Sequence, residues 1–349
     1  MKNRLNTFFI LIFSAIIVSI FFRWFIPKEV IGGDWPYLFK ESLQNYYLFV
    51  PSWNTWQGNG LGGTNPIYFL QSFEYLTVFL ATFFHIPWPF IYKIFWFGLF
   101  IVLSICSSIY FINTVLGKLA LWQRLLAAVI FTTNTYILMV VDGGQMGVAL
   151  SYAVAPLVFA RFIKLIDHVA VPKENFRLAL LAGLALSLQV IFDPRLAYIS
   201  MIAVVFYVIL SMKKNIFNTL YLMLYAFVIP GIVTLFLNIF WLLPFLVFSQ
   251  NTCERFCEAY SGMGIVRFLS FSSFSQSLSL LHPNWPENIF GKVGFMKPEF
   301  LALPILAYAS LLFVSKTKDL RLKTYVLYFA LLGLIGAFLA KGANPPFGE

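Results

Sequence analysis

Residues 146–212 read MGVALSYAVAPLVFARFIKLIDHVAVPKENFRLALLAGLALSLQVIFDPRLAYISMIAVVFYVILSM and contain three apolar runs, at 146–166, 176–192 and 195–212. Each run approaches the roughly twenty residues with which a helix crosses the hydrocarbon core of a bilayer. A polar stretch, 167–175, separates the first two runs, and Asp193-Pro194-Arg195 separates the last two. The pattern therefore predicts three consecutive membrane-spanning helices joined by short turns.

The composition extends this interpretation to the whole chain. Of its 349 residues, 60% are hydrophobic and only 11% are charged, and the mean hydropathy is +0.83. A soluble domain keeps about a quarter of its residues charged. We therefore predict an all-α, polytopic transmembrane bundle of about nine spans in a single domain, 1–349, with a kink or break at Pro230-Gly231. The six further runs lie at 7–26, 89–115, 121–141, 217–248, 299–315 and 323–340.

The basic residues predict how the chain is oriented. Suppose that the N-terminus is cytoplasmic and that the interrupted apolar segment 66–86 lies flat on the outer surface. The cytoplasmic side then holds 14 of the 24 basic residues and three acids, a net charge of +11, and the other side has a net charge of −1. Because Lys and Arg accumulate in cytoplasmic loops, we expect a plasma (inner) membrane protein with its C-terminus outside. The formal charge of +10 thus reflects orientation and predicts no nucleic-acid partner.

Two long polar loops result, both outside: 27–88, with interfacial helices, and 249–298. In the first loop, Asp34 follows Gly32 and Gly33. A carboxylate on such a turn is suited to act as a general base or metal ligand, and equally to cap a helix that begins near Pro36. Trp35 and Tyr37 are candidates for stacking on a sugar, although aromatic residues near a membrane surface more commonly anchor the protein.

Further polar residues lie where the predicted spans end on the outer side. Asp142 closes the third span and Gln145 opens the fourth, while Asp193 and Arg195 lie between the fifth and sixth spans. Ionisable groups at membrane depth usually face a cavity or a partner. The alternative is structural: Asp142 ends its helix, and Asp193 and Arg195 form a simple surface pair. Three acids and an arginine at one level favour a site.

The second outer loop offers a lone histidine, His282, which is more often structural than catalytic. The chain has three histidines in all, which argues against a histidine-based metal centre. It also has no Gly-rich phosphate loop, dinucleotide fingerprint or Gly-x-Ser-x-Gly motif. Direct use of a cytosolic nucleotide is therefore not expected.

This arrangement of motifs resembles the GT-C superfamily of membrane glycosyltransferases, and within it bacterial YfhO-type proteins and mycobacterial arabinofuranosyltransferases. The resemblance covers nearly the whole chain, through loose signatures. These are Gly33-Asp34, Trp56-x-x-x-Gly60-x-x-Gly63 with Asn65-Pro66, Asp142-Gly143-Gly144-Gln145, Asp193-Pro194-Arg195 and Lys341-Gly342-Ala343-Asn344-Pro345-Pro346. Family members usually continue past the Pro-Pro region, so the resemblance implies a chain that is incomplete at its C-terminus.

The resemblance implies specific roles. Asp34 matches the base that deprotonates the acceptor hydroxyl. Arg195 is the best match for a residue that holds the donor phosphate, with Lys28 and Lys40 as weaker matches. The implied partners are a lipid-linked sugar donor, a glycan or glycolipid acceptor and membrane lipids. Some family members bind a divalent cation, but the sequence has no Asp-x-Asp pair, so no metal ligand is assigned.

Three functions remain open at this stage. The first is a glycosyltransferase that uses a polyprenyl-phosphate donor outside the cytoplasm. The second is a flippase or transporter, which would need broken helices in matched halves and ionisable groups near the bilayer midplane. The third is a non-catalytic membrane assembly protein.

Overall fold

The computed structural model describes residues 2–26, 68–117, 119–168, 172–211, 224–248, 266–267, 270, 272–280, 298–314 and 316–348. Within these ranges the chain is almost entirely helical and contains no strand, so the all-α prediction is confirmed. The helices are α1 (Lys2–Phe25), α2 (Tyr68–Phe83), α3 (Trp88–Val115), α4 (Leu121–Thr133), α5 (Thr135–Asp142), α6 (Met146–His168), α7 (Pro172–Phe192), α8 (Pro194–Ser211), α9 (Ile229–Phe248), α10 (Phe274–Leu278), α11 (Ala302–Ala309), α12 (Leu311–Val314) and α13 (Leu320–Ala340).

Seven helices in the described ranges are long and apolar enough to cross a membrane. They are α1, α3, α6, α7, α8, α13, and α9 together with the π-helical turn Leu224–Val228 that precedes it. Helices α4 and α5 would form an eighth span if the pair is counted as one. The predicted run 299–315 forms a 3₁₀ turn and the short helices α11 and α12 instead of one long helix. The count of nine spans and the orientation remain predictions.

Helix α6 lies at the centre of the bundle. It packs against α3, α7 and α8, and 67% of the residues in an 18-residue window of its Met146–Asp167 span are buried, compared with 11% for the Arg4–Phe25 span of α1. The buried face of α6 carries small side chains, including Ala149, Ala153 and Ala160. Small residues let helix backbones approach closely, which is the main source of packing between apolar helices in a membrane.

The break in a span occurs at Asn134, where the axes of α4 and α5 differ by 42°. Asn134 leaves the helical conformation with ψ 155°, and its side chain accepts a hydrogen bond from the Ile137 amide at 3.1 Å. Its Nδ2 donates to the Phe131 carbonyl and to the Tyr152 hydroxyl, each at 2.9 Å. Helix α9 runs through Pro230 and Gly231 without a break, and the π-helical turn Leu224–Val228 directly precedes it, so the predicted kink at these residues stays a prediction.

Side-chain contacts define two ends of the bundle. Ser151 on α6 donates to the Asp193 carbonyl at 3.1 Å, so the start of α6 and the end of α7 lie together. Asp167, near the other end of α6, accepts hydrogen bonds from Tyr207 on α8 and Tyr325 on α13. Following the orientation that the charges predict, we call the end with Asp193 the outer end and the end with Asp167 the inner end.

Candidate functional site at the outer end

Asp142 is buried at the outer end and is paired with the first helix. Its side chain is only 4% exposed, and one carboxylate oxygen accepts from Arg23 Nη2 at 2.6 Å. The other oxygen accepts from Trp24 Nε1 at 3.3 Å. Gly143 and Gly144 allow the chain to turn immediately after Asp142, and Gly144 has a φ of +81°, which favours glycine. Both carboxylate oxygens are therefore engaged in joining α1 to α5.

Asp193 caps α8 and pairs with Arg195. Its carboxylate accepts from the Arg195 amide at 2.8 Å, with Pro194 in the first helical position, an arrangement typical of a helix start. The same carboxylate accepts from Arg195 Nε at 3.2 Å and from Nη2 at 2.7 Å. The Asp193 side chain is 2% exposed, whereas that of Arg195 is 75% exposed. This guanidinium is thus already neutralised by a buried carboxylate.

Four of the predicted site residues are therefore brought to the outer end. Asp142, Gln145, Asp193 and Arg195 lie there, and each acid is held by a neighbouring arginine. The structural alternative considered for Asp193 and Arg195 matches the observed pair, while the partner of Asp142 is Arg23. A substrate-binding role for these four residues stays a prediction. The other predicted site residues lie outside the described residues: Lys28, Asp34, Trp35, Tyr37, Lys40 and His282.

Two buried lysines stabilise helix ends at the outer end. Lys93, in the π-helical turn of α3, donates to the carbonyl of Ile26, which follows the last residue of α1. Lys341 follows α13 and donates to the carbonyls of Gly342 and Asn344 at 3.1 and 2.6 Å. Its ammonium also lies 4.5 Å from the ring centroid of Phe338. Both ammonium groups thus bind carbonyls just beyond the C-terminus of a helix, where a cation opposes the negative end of the helix dipole.

A long apolar groove runs between α13 and the bundle. Its volume is about 1110 Å³, and its walls come from α3, α4, α5, α11, α13 and the segment 277–280. Groove-lining residues on α13 extend from Tyr325 to Ala340, which at about 1.5 Å per residue corresponds to roughly 22 Å. The segment 272–280 belongs to the predicted second outer loop, yet it packs along α13 and accepts a hydrogen bond from Thr135 on α5.

The two ends of this groove differ chemically. At the inner end, the Tyr325 hydroxyl donates to Asp167 at 2.6 Å, and its ring stacks on Tyr207 with centroids 6.2 Å apart. At the outer end, the groove is lined by Gln145 and, on α5, by Tyr136, whose phenol lies within the electrostatic influence of Asp193 and Arg195. The groove therefore has polar side chains at both ends, Tyr325 at the inner end and Gln145 at the outer mouth, and a mainly apolar wall between them.

Glu74 is an acid of the outer end that the sequence interpretation treated only as an interruption of segment 66–86. It lies on α2, which is shorter than the candidate spans and packs against α7 through Phe73, whose ring is 5.3 Å from that of Phe192. Burial raises the pKa of the Glu74 carboxyl from 4.5 to about 7. The placement of segment 66–86 flat on a membrane surface stays a prediction.

Because of Glu74, we expect the free energy of unfolding to fall as the pH rises from 4.5, the ordinary pKa of a glutamate, to about 7, its pKa in the folded chain. Below pH 4.5 Glu74 is protonated in both folded and unfolded chains, whereas above about pH 7 the folded chain must hold a desolvated carboxylate. Replacing Glu74 by Gln should therefore stabilise the protein by about 1–3 kcal/mol at pH 8, allowing for partial exposure, and by almost nothing at pH 4. Unfolding of detergent-solubilised protein at both pH values measures this, with exposed Glu299→Gln as the control. Equal shifts for both variants at pH 8 would contradict the assignment.

In the described ranges, no three His, Cys, Asp or Glu side chains converge where a metal ion could bind. The fold and the outer end together define a class: a helical protein with spans suited to a membrane and a lateral apolar groove that ends among polar side chains. Comparison with protein-family models, with curated proteins and with solved structures finds no match for this chain.

Proposed function

We propose that this chain is a membrane glycosyltransferase that moves a sugar from a polyprenyl-phosphate donor to a glycan or glycolipid acceptor on the extracytoplasmic face. The observation that carries the proposal is the apolar groove along α13, which ends at the outer end beside Tyr136 and Gln145. A donor with a long hydrocarbon chain and a polar head has the same two-part chemistry. The proposal also follows the resemblance of the sequence to membrane glycosyltransferases.

The dimensions of the groove support a lipid-borne substrate. Its length of roughly 22 Å is about three-quarters of the 30 Å hydrocarbon core of a bilayer. Its volume of about 1110 Å³ is at the upper limit of ordinary small-molecule sites, which are about 300–1,000 Å³. The wall residues are mainly aliphatic and aromatic, such as Phe111, Val140 and Phe329. Such a wall favours hydrocarbon over a hydrated nucleotide sugar.

The proposed reaction is a displacement at the anomeric carbon of the donor. A base removes the proton of the acceptor hydroxyl, the acceptor oxygen forms the new glycosidic bond, and the bond to the phosphate oxygen breaks. The leaving polyprenyl phosphate keeps the electron pair. Asp34 is our candidate for the base, since both oxygens of Asp142 and Asp193 already accept hydrogen bonds from arginine or tryptophan.

Filling the groove tests this proposal. Gly336 lines the groove, and a Cβ at this position would meet no atom within 4 Å. A leucine side chain would therefore fill part of the groove in which the lipid chain is proposed to bind. Displacing about two methylene groups costs about 1.6 kcal/mol, or roughly tenfold in affinity. We therefore expect Gly336→Leu to lower photo-cross-linking of a polyprenyl phosphate, and sugar transfer, by about tenfold.

Gly231 provides the matched control for this substitution. It is also a helical glycine with nothing within 4 Å of an added Cβ, but it lies on α9, and it does not line the groove. Gly231→Leu should leave both measurements unchanged. In the same membranes, Asp34→Asn should abolish transfer while cross-linking persists. Transfer that is unaffected by either Gly336→Leu or Asp34→Asn would contradict the proposal.

The bend at Asn134 favours a second candidate, a lipid flippase or transporter. The bend adjoins the groove, whose wall includes Ile130 before it and Tyr136 after it, and broken helices are common at transport sites. A fluorescent polyprenyl phosphate in proteoliposomes separates the two candidates. Movement of this lipid between leaflets without an acceptor would favour the flippase, whereas sugar transfer without such movement would favour the glycosyltransferase.

A further inference from the structure

A second cavity, of about 570 Å³, is lined by Arg267, Ser270, Ala343, Asn344 and Gly348. Unlike the groove, whose walls are mainly aliphatic and aromatic, it is lined by three polar residues, Arg267, Ser270 and Asn344. It belongs to the outer end, since residues 341–348 follow the last turn of α13. This polar cavity is separate from the four predicted site residues that the structure brings to the outer end.

Two chain segments lead directly from the apolar groove to the polar cavity. On the first, Ala340 lines the groove, and Ala343, three residues later, lines the cavity. On the second, Ser277 lines the groove and Ser270 lines the cavity. Hydrogen bonds tie the segments together: Ser270 Oγ accepts from the Ala343 amide at 2.7 Å, and Asn344 Nδ2 donates to the Ser270 carbonyl at 2.9 Å. The cavity thus lies beyond the same end of α13 as the outer mouth of the groove.

The wall of the polar cavity is tightly built. Gly342 has a φ of +58°, and a Cβ at this position would lie 2.2 Å from Ser270 Oγ. Asn344 Nδ2 also donates to the Ser272 carbonyl at 2.8 Å. The buried ammonium of Lys341 fixes the same turn through the carbonyls of Gly342 and Asn344. A positive charge therefore lies within the wall itself.

Arg267 adds a second positive charge, and it is exposed at the cavity. No carboxylate pairs with Arg267 in the part of the chain that the structure describes. Arg195 differs, because Asp193 already binds its guanidinium through two atoms. An arginine without a carboxylate partner retains its full charge and a planar fork of donors that suits phosphate oxygens. Arg267 is therefore better suited to an anion than Arg195.

We propose that Arg267 binds the phosphate of a lipid whose hydrocarbon chain occupies the groove along α13, with Lys341 adding positive potential from within the wall. This inference rests on the proposed function, and it moves the phosphate from Arg195 to Arg267. The head of the lipid then lies in the polar cavity, three to eight residues beyond the last groove-lining residue of α13.

Two lipids of one chain length test the inference on the 349-residue chain in detergent: a polyprenyl phosphate and the corresponding polyprenol. Loss of a charge-assisted hydrogen bond weakens binding by about 1.5 kcal/mol or more, which is about tenfold in affinity. We expect Arg267→Gln to lower the affinity for the phosphate about tenfold and to leave polyprenol binding unchanged. Arg4→Gln, an exposed arginine at the inner end of α1, should change neither, and Arg195→Gln should change the phosphate affinity less than Arg267→Gln.

The other outcomes are equally informative. If Arg267→Gln weakens both lipids equally, or neither, Arg267 does not bind the phosphate, although the proposed function survives as long as Gly336→Leu weakens both lipids. If Gly336→Leu weakens the binding of neither lipid, the groove is not the lipid site, and the proposed function is contradicted together with the inference that rests on it. Inorganic phosphate separates the sources of the anion. If it binds in an Arg267-dependent manner while Gly336→Leu leaves polyprenyl-phosphate affinity unchanged, the ligand is free phosphate, and the lipid assignment is overturned.

Discussion

Gly183→Leu should prevent recovery of folded protein, because no space exists for a side chain where α7 crosses α9. A Cβ at Gly183 would lie 2.8 Å from Val233 Cβ, 2.9 Å from Pro230 Cα and 3.0 Å from the Pro230 carbonyl oxygen. Two of these atoms belong to the backbone, so neither can move aside by a rotamer change. Overpacking by even one methyl group costs about 1–3 kcal/mol, and leucine adds three more carbon atoms.

Gly231→Leu is the matched control for this prediction. Gly231 follows Pro230 directly in α9, and a Cβ at Gly231 would meet nothing within 4 Å. Size-exclusion profiles and thermal unfolding in detergent compare the two variants, with Gly183→Ala as an intermediate step expected to cost about 3 kcal/mol. If Gly183→Leu elutes as a single species with the melting temperature of Gly231→Leu, the close approach of α7 and α9 is not what stabilises this part of the bundle.

The crossing at Gly183 also shows which part of the fold can be predicted from sequence. The length and apolar character of α6, α7 and α8 follow from runs that can be read directly, because each helix satisfies its own backbone hydrogen bonds. The Asp193-Pro194-Arg195 turn could be predicted too, since a capping acid followed by proline is a local signal. The packing of α7 against α9 could not be predicted, because Gly183 and Pro230 are 47 positions apart and no local signal connects them.

The bend at Asn134 illustrates a local feature that the sequence interpretation missed. Proline and glycine at 230–231 were the stronger sequence signal for a break, yet the helix continues through them, and the π-helical turn Leu224–Val228 lies just before Pro230. Asn134 ends α4 because its side chain finds three partners: the Ile137 amide, the Phe131 carbonyl and the Tyr152 hydroxyl. Asparagine competes with helical hydrogen bonds in this way, and Tyr152 on α6 supplies a partner from outside the local sequence.

The candidate site also has features that could be predicted from local sequence and features that arise only in the folded structure. The sequence placed Asp142, Gln145, Asp193 and Arg195 at helix ends on one side, and the structure brings them to one end of the bundle. Nothing in the sequence indicated the groove, because its walls come from separate segments between Phe111 and Ala340. Arg267 is a charged residue of the second outer loop, but its proximity to residues 343–348 could not be predicted, because it arises only when the segment after α13 bonds to Ser270.

Breaking the Arg23–Asp142 pair should produce the second-largest loss of stability. Asp142 is 4% exposed, so Arg23→Gln leaves a buried carboxylate whose remaining donor is Trp24 Nε1. Removing one partner of a buried ion pair typically costs about 3–5 kcal/mol. Because the Arg23 side chain is 46% exposed, solvent screens part of this interaction, and we expect about 2–3 kcal/mol.

A double-mutant cycle in detergent identifies the source of this loss. Asp142→Asn removes the charge but keeps an acceptor for Trp24, so it should cost less than Arg23→Gln. The double variant Arg23→Gln/Asp142→Asn should be more stable than the sum of the single effects predicts, by about 1–2 kcal/mol, because it leaves no unpaired buried charge. Strictly additive effects would mean that the two side chains act independently. A positive coupling would instead identify the pair as the link that fixes α1 against α5, and with it the point at which the chain enters the first outer loop that contains Asp34.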